Sequence, residues 1–212
     1  MELKKILENV NQYFDDKLKT HGTDAKGVDW NSNQAREIRF DQLVKIVDPD
    51  ISFSMIDYGA GYGAFYDYLI QKDYKVRLYY GYDILESMID EGRKQHGDDT
   101  NIIFTTDLTD CPQVDYVSAC GVFNMKLNAD YDQWTKYVIK CLHEIDQLAL
   151  RGFSVNFLTK YSDADRMRDD LYYADPGYLF DYCKRNFSRN VALLHDYEVY
   201  DFTLLVRKNP ND

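Results

Sequence analysis

Apolar positions in the first part of the chain recur at helical intervals. One such stretch covers residues 2–19, and a polar, glycine-bracketed stretch, 21–27, interrupts it. A second helical pattern then begins near Ser32 or Asn33, either of which suits an N-cap, and it ends at an Asp-Pro-Asp turn, 48–50. The sequence therefore predicts two helices before any strand. The apolar side chains of the first helix are Leu3, Ile6, Leu7, Val10, Tyr13, Phe14 and Leu18.

From residue 52 onwards, short apolar runs alternate with helical stretches. This alternation is typical of α/β proteins with a mostly parallel sheet. The last two runs are joined by a short link, which predicts an antiparallel hairpin, since parallel neighbours need a longer crossover. The predicted strands are 52–57, 76–83, 101–108, 114–120, 152–158, 191–197 and 202–207. The predicted helices between them are 64–72, 84–95, 130–150 and 175–186.

Three glycines follow the first predicted strand at alternate positions, Gly59, Gly61 and Gly63. Glycine tolerates positive φ in a tight turn and lets a ligand approach the main chain. A strand, a glycine loop and a helix in this order are typical of a nucleotide-binding sheet, with the ligand outside the carboxyl ends of the strands. Because Gly59, Gly61 and Ala64 also fit the dinucleotide pattern G-x-G-x-x-A, the loop alone leaves the ligand open.

Acidic residues at three strand ends narrow the choice of ligand. Asp57 stands two residues before the first glycine, where a carboxylate is unfavourable beside a pyrophosphate and favourable beside a cationic ligand. Asp83 ends the second strand, where a carboxylate accepts hydrogen bonds from ribose hydroxyls. Asp107 ends the third strand. The pattern favours a ligand that carries a ribose and a positive charge.

The run Asp57-x-Gly59-x-Gly61-x-Gly63 resembles the first motif of class I methyltransferases, which use S-adenosylmethionine. The resemblance covers about residues 50–207 and implies a Rossmann-like, mostly parallel seven-stranded sheet ending in an antiparallel hairpin. It also implies that Asp107 contacts the adenine amino group. The predicted cofactor-binding residues are Trp30, Arg39, Asp57, Gly59, Ala60, Gly61, Gly63, Asp83, Ile84, Met88, Asp107, Leu108 and Cys120.

In this family, helices that precede the first strand commonly form a lid over cofactor and substrate. We therefore expect residues 1–48 to be N-terminal lid helices and 50–208 the methyltransferase domain, within one structural domain. Arg39 is predicted to clamp the methionine carboxylate as a bidentate partner. Trp30 is predicted to close over the sulfonium through a cation–π contact. The alternative is that Trp30 only packs the lid and that Arg39 is a surface charge.

Composition limits the partners. The 212 residues include 25 Lys and Arg against 36 Asp and Glu, for a formal net charge of −11, which disfavours a nucleic-acid partner. No apolar run is long enough to predict a membrane helix. The four cysteines and four histidines are scattered, so neither a disulfide framework nor a metal site is expected, and a cytoplasmic location fits. The sequence leaves a monomer and a homodimer open.

The methyl acceptor is predicted from the loop after the fourth strand. Enzymes of this family that methylate exocyclic or amide nitrogens usually have Asn/Asp-Pro-Pro-Tyr/Phe there, whereas this chain has Cys120-Gly-Val-Phe-Asn-Met125. Oxygen is therefore the predicted acceptor. His195 is the first candidate for the general base because its ordinary pKa suits that task, and Tyr161 is a reserve. A histidine that only packs within an edge strand would look the same in the sequence. If the acceptor is a phosphate or carboxylate oxygen, no base is needed.

The segment after the fifth strand offers a contact to the substrate. Arg166 and Arg168 are candidates for holding a phosphate or carboxylate, and a solvated, self-paired turn is the alternative. Residues 156–170 also resemble methyltransferases from bacterial surface-polysaccharide gene sets, which implies a sugar, sugar nucleotide or phosphorylated precursor as acceptor. We therefore predict O-methylation of a small molecule. An NAD(P)-dependent dehydrogenase and a non-catalytic S-adenosylmethionine-binding partner subunit stay open as alternatives.

Overall fold

The computed structural model describes residues 3–22 and 32–208. Three 3-10 turns, 44–46, 108–110 and 164–166, lie between its helices and strands. The helices are α1 (Leu3–His21), α2 (Asn33–Leu43), α3 (Ala64–Gln71), α4 (Glu86–His96), α5 (Tyr131–Leu148) and α6 (Pro176–Asn186). The strands are β1 (Phe53–Tyr58), β2 (Val76–Tyr82), β3 (Ile102–Thr105), β4 (Val114–Ala119), β5 (Ala149–Thr159), β6 (Tyr173–Ala174), β7 (Asn190–Leu194) and β8 (Asp201–Arg207).

The strands form one sheet in the order β3-β2-β1-β4-β5-β8-β7. Strands β1 to β5 pair in parallel, whereas β8 is antiparallel to both β5 and β7. The predicted mostly parallel sheet with a closing hairpin is confirmed. An eighth strand, β6, which pairs with β5, was not predicted because two residues carry no readable alternation. The strand order reverses beside β1, and a ligand crevice is expected at that switch point.

Helices cover both faces of the sheet, and β1 is therefore buried along its whole length. This explains why its sequence is a nearly continuous apolar run. Side chains of α1 and α5 share one core cluster with the sheet, while α2, α3 and α4 contribute to the other. The two N-terminal helices thus pack on opposite faces. The lid function of residues 1–48 stays a prediction.

Side-chain caps fix the start of several helices. Ser32 is the N-cap of α2, as one of the two predicted candidates, and its hydroxyl accepts a hydrogen bond from Ala35 N at 3.1 Å. Asp130 caps α5, and Asp175 caps α6 ahead of Pro176. Such caps satisfy backbone N–H groups that have no partner within the helix. None of the helices in the described ranges is long and apolar enough to cross a membrane.

One predicted strand boundary is wrong in a way that matters for the site. The sixth predicted strand was expected to run through Tyr197, but the corresponding strand, β7, ends at Leu194, which pairs with Thr203. Strand β8 begins at Asp201, which pairs with Leu158 of β5, and the chain between 195 and 200 lies outside the strands. His195 therefore lies in a loop one residue beyond the strand.

Candidate active site

A cavity of about 380 Å³ lies at the carboxyl ends of β1, β2 and β4, and we call it the glycine-loop cavity. Helix α1 covers it with Leu7, Val10, Asn11 and Phe14. Its position is the one expected at the switch point of such a sheet. Predicted cofactor residues that line it are Asp57, Gly59, Ala60, Gly61, Asp83, Ile84, Met88 and Cys120.

The backbone of the glycine loop has the conformation that its sequence predicts. The φ angles of Gly59, Gly61 and Gly63 are 83°, 56° and 96°, a region that side chains disfavour. A Cβ atom on Gly59 would lie 2.4 Å from Cγ2 of Val122. Gly63 does not line the cavity, and a Cβ there would meet the ring of Phe104 at 2.9 Å. Gly63 therefore serves the packing of α3, whereas Gly59 and Gly61 face the cavity.

Asp57 is buried beneath the loop, and only one of its carboxylate oxygens has a partner. Tyr79 donates a hydrogen bond to Oδ2 at 2.6 Å, while Oδ1 has none. Burial raises the pKa of Asp57 to about 7, the Tyr79 bond opposes this shift, and the nearby Asp83 charge adds to it. A cationic group in the cavity would restore the charged carboxylate.

Asp83 connects the end of β2 to the glycine loop. Its carboxylate accepts hydrogen bonds from Gly61 N at 2.9 Å and from Leu85 N at 3.0 Å. Burial raises the pKa of Asp83, and these backbone bonds oppose the shift. Ile84, which is exposed, and Met88, which is buried, add apolar walls beside it. The carboxylate suits the hydroxyl groups of a ribose, and the apolar walls suit a flat base.

Asp107 and Leu108 lie after β3 but do not line the glycine-loop cavity. The carboxylate of Asp107 caps the 3-10 turn, accepting bonds from Thr109 N at 2.9 Å and Thr109 Oγ1 at 2.7 Å. These two bonds lower the pKa of Asp107. The structure gives Asp107 a local capping role, and its contact with adenine stays a prediction.

Arg39, the predicted carboxylate clamp, has a protein carboxylate as its partner. Its Nε and Nη2 atoms donate to Asp201 at 3.0 and 2.5 Å, and Nη1 donates to Ala35 O at 2.8 Å. Arg36, one turn earlier on α2, lines the glycine-loop cavity instead. Its Nη1 donates to Tyr62 at 2.8 Å, and its buried Nε has no partner. Arg36 was not predicted from the sequence, because helical spacing does not say which arginine faces the cavity.

The remaining predicted residues have different surroundings. Cys120 lines the glycine-loop cavity, and burial raises the pKa of its thiol far above the ordinary range, so the sulfur is neutral rather than nucleophilic. His195 and Tyr161 lie together, with ring centroids 5.9 Å apart, and both are exposed. Neither residue lines the glycine-loop cavity or the neighbouring cavity described next. Trp30 lies outside the described residues.

A second cavity of about 840 Å³ adjoins the first, and both have Phe14 and Gly121 in their walls. A buried hydrogen-bond chain reaches this junction. Asn156 donates to Oδ1 of Asp201 at 3.0 Å and accepts from Gly121 N at 2.7 Å. Since Arg39 holds the same aspartate, the chain connects α2, β8 and β5 to the loop after β4.

Comparison with known proteins identifies the family of this chain. No family model matches the chain. A Mycobacterium tuberculosis protein that is named as a methyltransferase, Rv1506c, is 43% identical over 167 residues, which are 79% of this chain and 98% of the relative.

Solved structures agree on the fold. Magnesium protoporphyrin IX methyltransferase from Synechocystis PCC 6803, with bound S-adenosylhomocysteine, has a TM-score of 0.64 at 18% identity, covering 95% of this chain and 99% of that one. The N-methyltransferase NodS from Bradyrhizobium japonicum WM9, with the same ligand, has a TM-score of 0.65 at 14% identity, covering 94% and 98%. The chain therefore belongs to the methyltransferase family, and it has the fold of the class I, S-adenosylmethionine-dependent enzymes.

Proposed function

We propose that this protein binds S-adenosylmethionine in the glycine-loop cavity and transfers its methyl group to a small molecule. The observation that carries the proposal is a pair of buried, unpartnered polar atoms of opposite charge, Arg36 Nε and Asp57 Oδ1. Both residues line the same cavity. Buried polar atoms normally have partners, so unpaired ones in a cavity point to a ligand. The amino-acid end of S-adenosylmethionine carries the matching carboxylate and ammonium groups.

The other walls fit the nucleoside end. Asp83 keeps acceptor capacity for ribose hydroxyls after its two backbone bonds, because each carboxylate oxygen has two lone pairs. Ile84 and Met88 supply apolar surface for a base. Gly59 and Gly61 leave the space in which a ligand lies against the main chain. The residues present therefore fit the cofactor over its whole length.

The protein's own contribution to the reaction is orientation and exclusion of water. When bound, S-adenosylmethionine supplies a methyl group on a positively charged sulfur. Arg36 and Asp57 hold the amino-acid end, Asp83 holds the ribose, and Phe14 of α1 lies at the junction between the two cavities. Fixing both reactants in this way removes much of the entropy cost of the transfer. Cys120 stays neutral at this position and is not a nucleophile.

We further propose that the acceptor atom is an oxygen of a sugar, sugar nucleotide or phosphorylated precursor. The loop from Cys120 to Met125 lacks the segment typical of nitrogen methylation, and residues 156–170 resemble surface-polysaccharide methyltransferases. His195 and Tyr161 remain the proposed base and its reserve. The buried Cys111, Cys141 and Cys183 are free thiols, which supports a reducing, cytoplasmic setting.

The test is calorimetric titration with S-adenosylhomocysteine, beside NAD and NADP. We expect only S-adenosylhomocysteine to bind, and we expect Gly61→Val to abolish this binding, because a branched side chain at φ 56° fills the ligand's space and strains the loop. Gly177→Ala is the control, since a Cβ there meets only Asp175 Oδ1 at 3.4 Å. Thermal melts show whether each variant is folded.

Two results would contradict the proposal. The first is a wild-type protein that ignores S-adenosylhomocysteine at millimolar concentration. The second is a folded Gly61→Val variant with unchanged affinity. A protein that binds the cofactor but never forms S-adenosylhomocysteine with any acceptor would be the non-catalytic subunit instead. Membership of the methyltransferase family disfavours the dehydrogenase alternative.

A further inference from the structure

The second cavity adjoins the glycine-loop cavity, with which it shares Phe14 and Gly121. Its volume of about 840 Å³ lies within the range of small-molecule sites. The walls come from the loop after β4, from the segment between β5 and α6, and from the loop between β7 and β8. These loops lie at the carboxyl end of the sheet or beside it, where binding residues concentrate.

Four charged side chains line this cavity, and two of them are neutralised by the protein. Arg39 is paired with Asp201, and Arg168 is paired with Asp170, whose Oδ2 lies 2.5 Å from Nη2. The other two are Arg166 and Glu198. Both side chains are exposed, and neither makes a side-chain hydrogen bond or ion pair within residues 3–22 and 32–208. One cation and one anion are thus left for a ligand.

Aromatic side chains complete the walls. Tyr173, Tyr197 and Tyr200 line the cavity, and each hydroxyl has a protein partner. Tyr173 Oη accepts a hydrogen bond from Arg168 N at 3.0 Å, Tyr197 shares one with Thr203 at 2.8 Å, and Tyr200 donates to Asp163. With their hydroxyl groups engaged, these side chains offer the ligand mainly apolar ring surface. Such surface suits a ring-shaped ligand.

We propose that the second cavity binds the methyl acceptor as a phosphorylated sugar, an inference that rests on the proposed function. Arg166 binds the phosphate, for which a guanidinium is well suited in geometry and charge. Glu198 accepts hydrogen bonds from the sugar hydroxyls, because an ionised carboxylate is an acceptor only. The tyrosines pack against the sugar ring. A phosphorylated sugar has an anionic group and several hydroxyl donors, and these match the two unpaired charges.

The experiment uses the whole protein saturated with S-adenosylhomocysteine and titrates it with glucose 1-phosphate, glucose and glycine by calorimetry. We expect glucose 1-phosphate to bind at least tenfold more tightly than glucose, and glycine not to bind. Arg166→Gln should lower the affinity for glucose 1-phosphate about 10- to 100-fold, which is the range for loss of a hydrogen bond to a charged group. The affinity for S-adenosylhomocysteine should not change.

Arg185→Gln is the matched control. Arg185 is an exposed arginine of α6 that pairs with Asp181 at 2.7 Å and lines neither cavity. It should leave the affinity for glucose 1-phosphate unchanged. Glu198→Gln tests the sugar contact separately. We expect it to weaken glucose 1-phosphate but to leave the binding of inorganic phosphate as in the wild type.

Several outcomes would overturn the inference while leaving the proposed function intact. One is a protein that binds S-adenosylhomocysteine but not glucose 1-phosphate, and another is glucose that binds as tightly as glucose 1-phosphate. The others are an affinity for glucose 1-phosphate that is the same in wild type and Arg166→Gln, or that falls as much in Arg185→Gln as in Arg166→Gln. Binding of glycine in place of the sugar phosphate would identify a site for amino acids. Failure to bind S-adenosylhomocysteine would instead refute the proposed function itself.

Discussion

Lowering the pH should weaken cofactor binding through the titration of Asp57. In the free protein, burial holds the pKa of this carboxyl near 7, so both protonation states are populated around neutral pH. A bound ammonium or sulfonium group favours the carboxylate and therefore lowers this pKa. Binding then releases a proton from Asp57, and by linkage the affinity must rise as the pH rises through about 7.

The size of the effect follows from the raised pKa. With a pKa of about 7, roughly nine tenths of Asp57 is protonated at pH 6 and roughly one tenth at pH 8. If only the carboxylate form binds, the apparent affinity falls about tenfold between pH 8 and pH 6, which is about 1.4 kcal/mol. An ordinary aspartate, with its pKa near 4, would show almost no change over this range.

The assay is titration calorimetry with S-adenosylhomocysteine at pH 6, 7 and 8, in two buffers that differ in ionisation enthalpy. The change in binding enthalpy between the two buffers gives the number of protons released on binding. Asp57→Asn is the control, because the ligand's own amine also titrates near pH 8. Only the difference in pH dependence of the affinity between wild type and Asp57→Asn is due to Asp57. Identical pH dependence in wild type and Asp57→Asn would refute the reasoning.

Two further predictions concern the buried ion pair and the proposed base. Asp201→Asn removes the buried carboxylate that pairs with the guanidinium of Arg39, so urea denaturation should show about 3–5 kcal/mol less stability. Asp181→Asn, in an exposed pair, should cost less than about 1 kcal/mol, and equal losses would contradict the argument. If His195 is the base, His195→Ala lowers kcat about 10²- to 10⁴-fold at unchanged S-adenosylhomocysteine affinity. Wild-type turnover in His195→Ala would mean that the His195 ring only packs against Phe202.

The local features of the cofactor site could be predicted because short stretches of chain determine them. The apolar run of β1, the glycines that need positive φ, and Asp83 at the end of a strand are each defined within a few residues. Parallel strands bring their carboxyl ends to one edge, so Asp57 and Asp83 come together without further information. The order of helices and strands determined the fold in the same way.

The tertiary structure alone decided which arginine serves the cavity. Arg36 and Arg39 are three residues apart on one helix, and nothing in their spacing says which faces the cofactor. The choice depends on Asp201, a residue 162 positions away that arrives beside Arg39 only when β8 inserts between β5 and β7. Pairings over such distances depend on the packing of whole elements, which local sequence patterns do not contain.

The acceptor side shows the same division. The sequence indicated that Arg166 and Arg168 were both candidates for contacting a substrate. Only folding shows that Asp170 pairs with Arg168 and that Glu198 lines the same cavity as Arg166. Folding also placed His195 outside the strand, because the pairing of β7 with β8 ends at Leu194 and Thr203. Chemistry carried by single residues was determined by the sequence, whereas the choice of partners was made by the packing of distant segments.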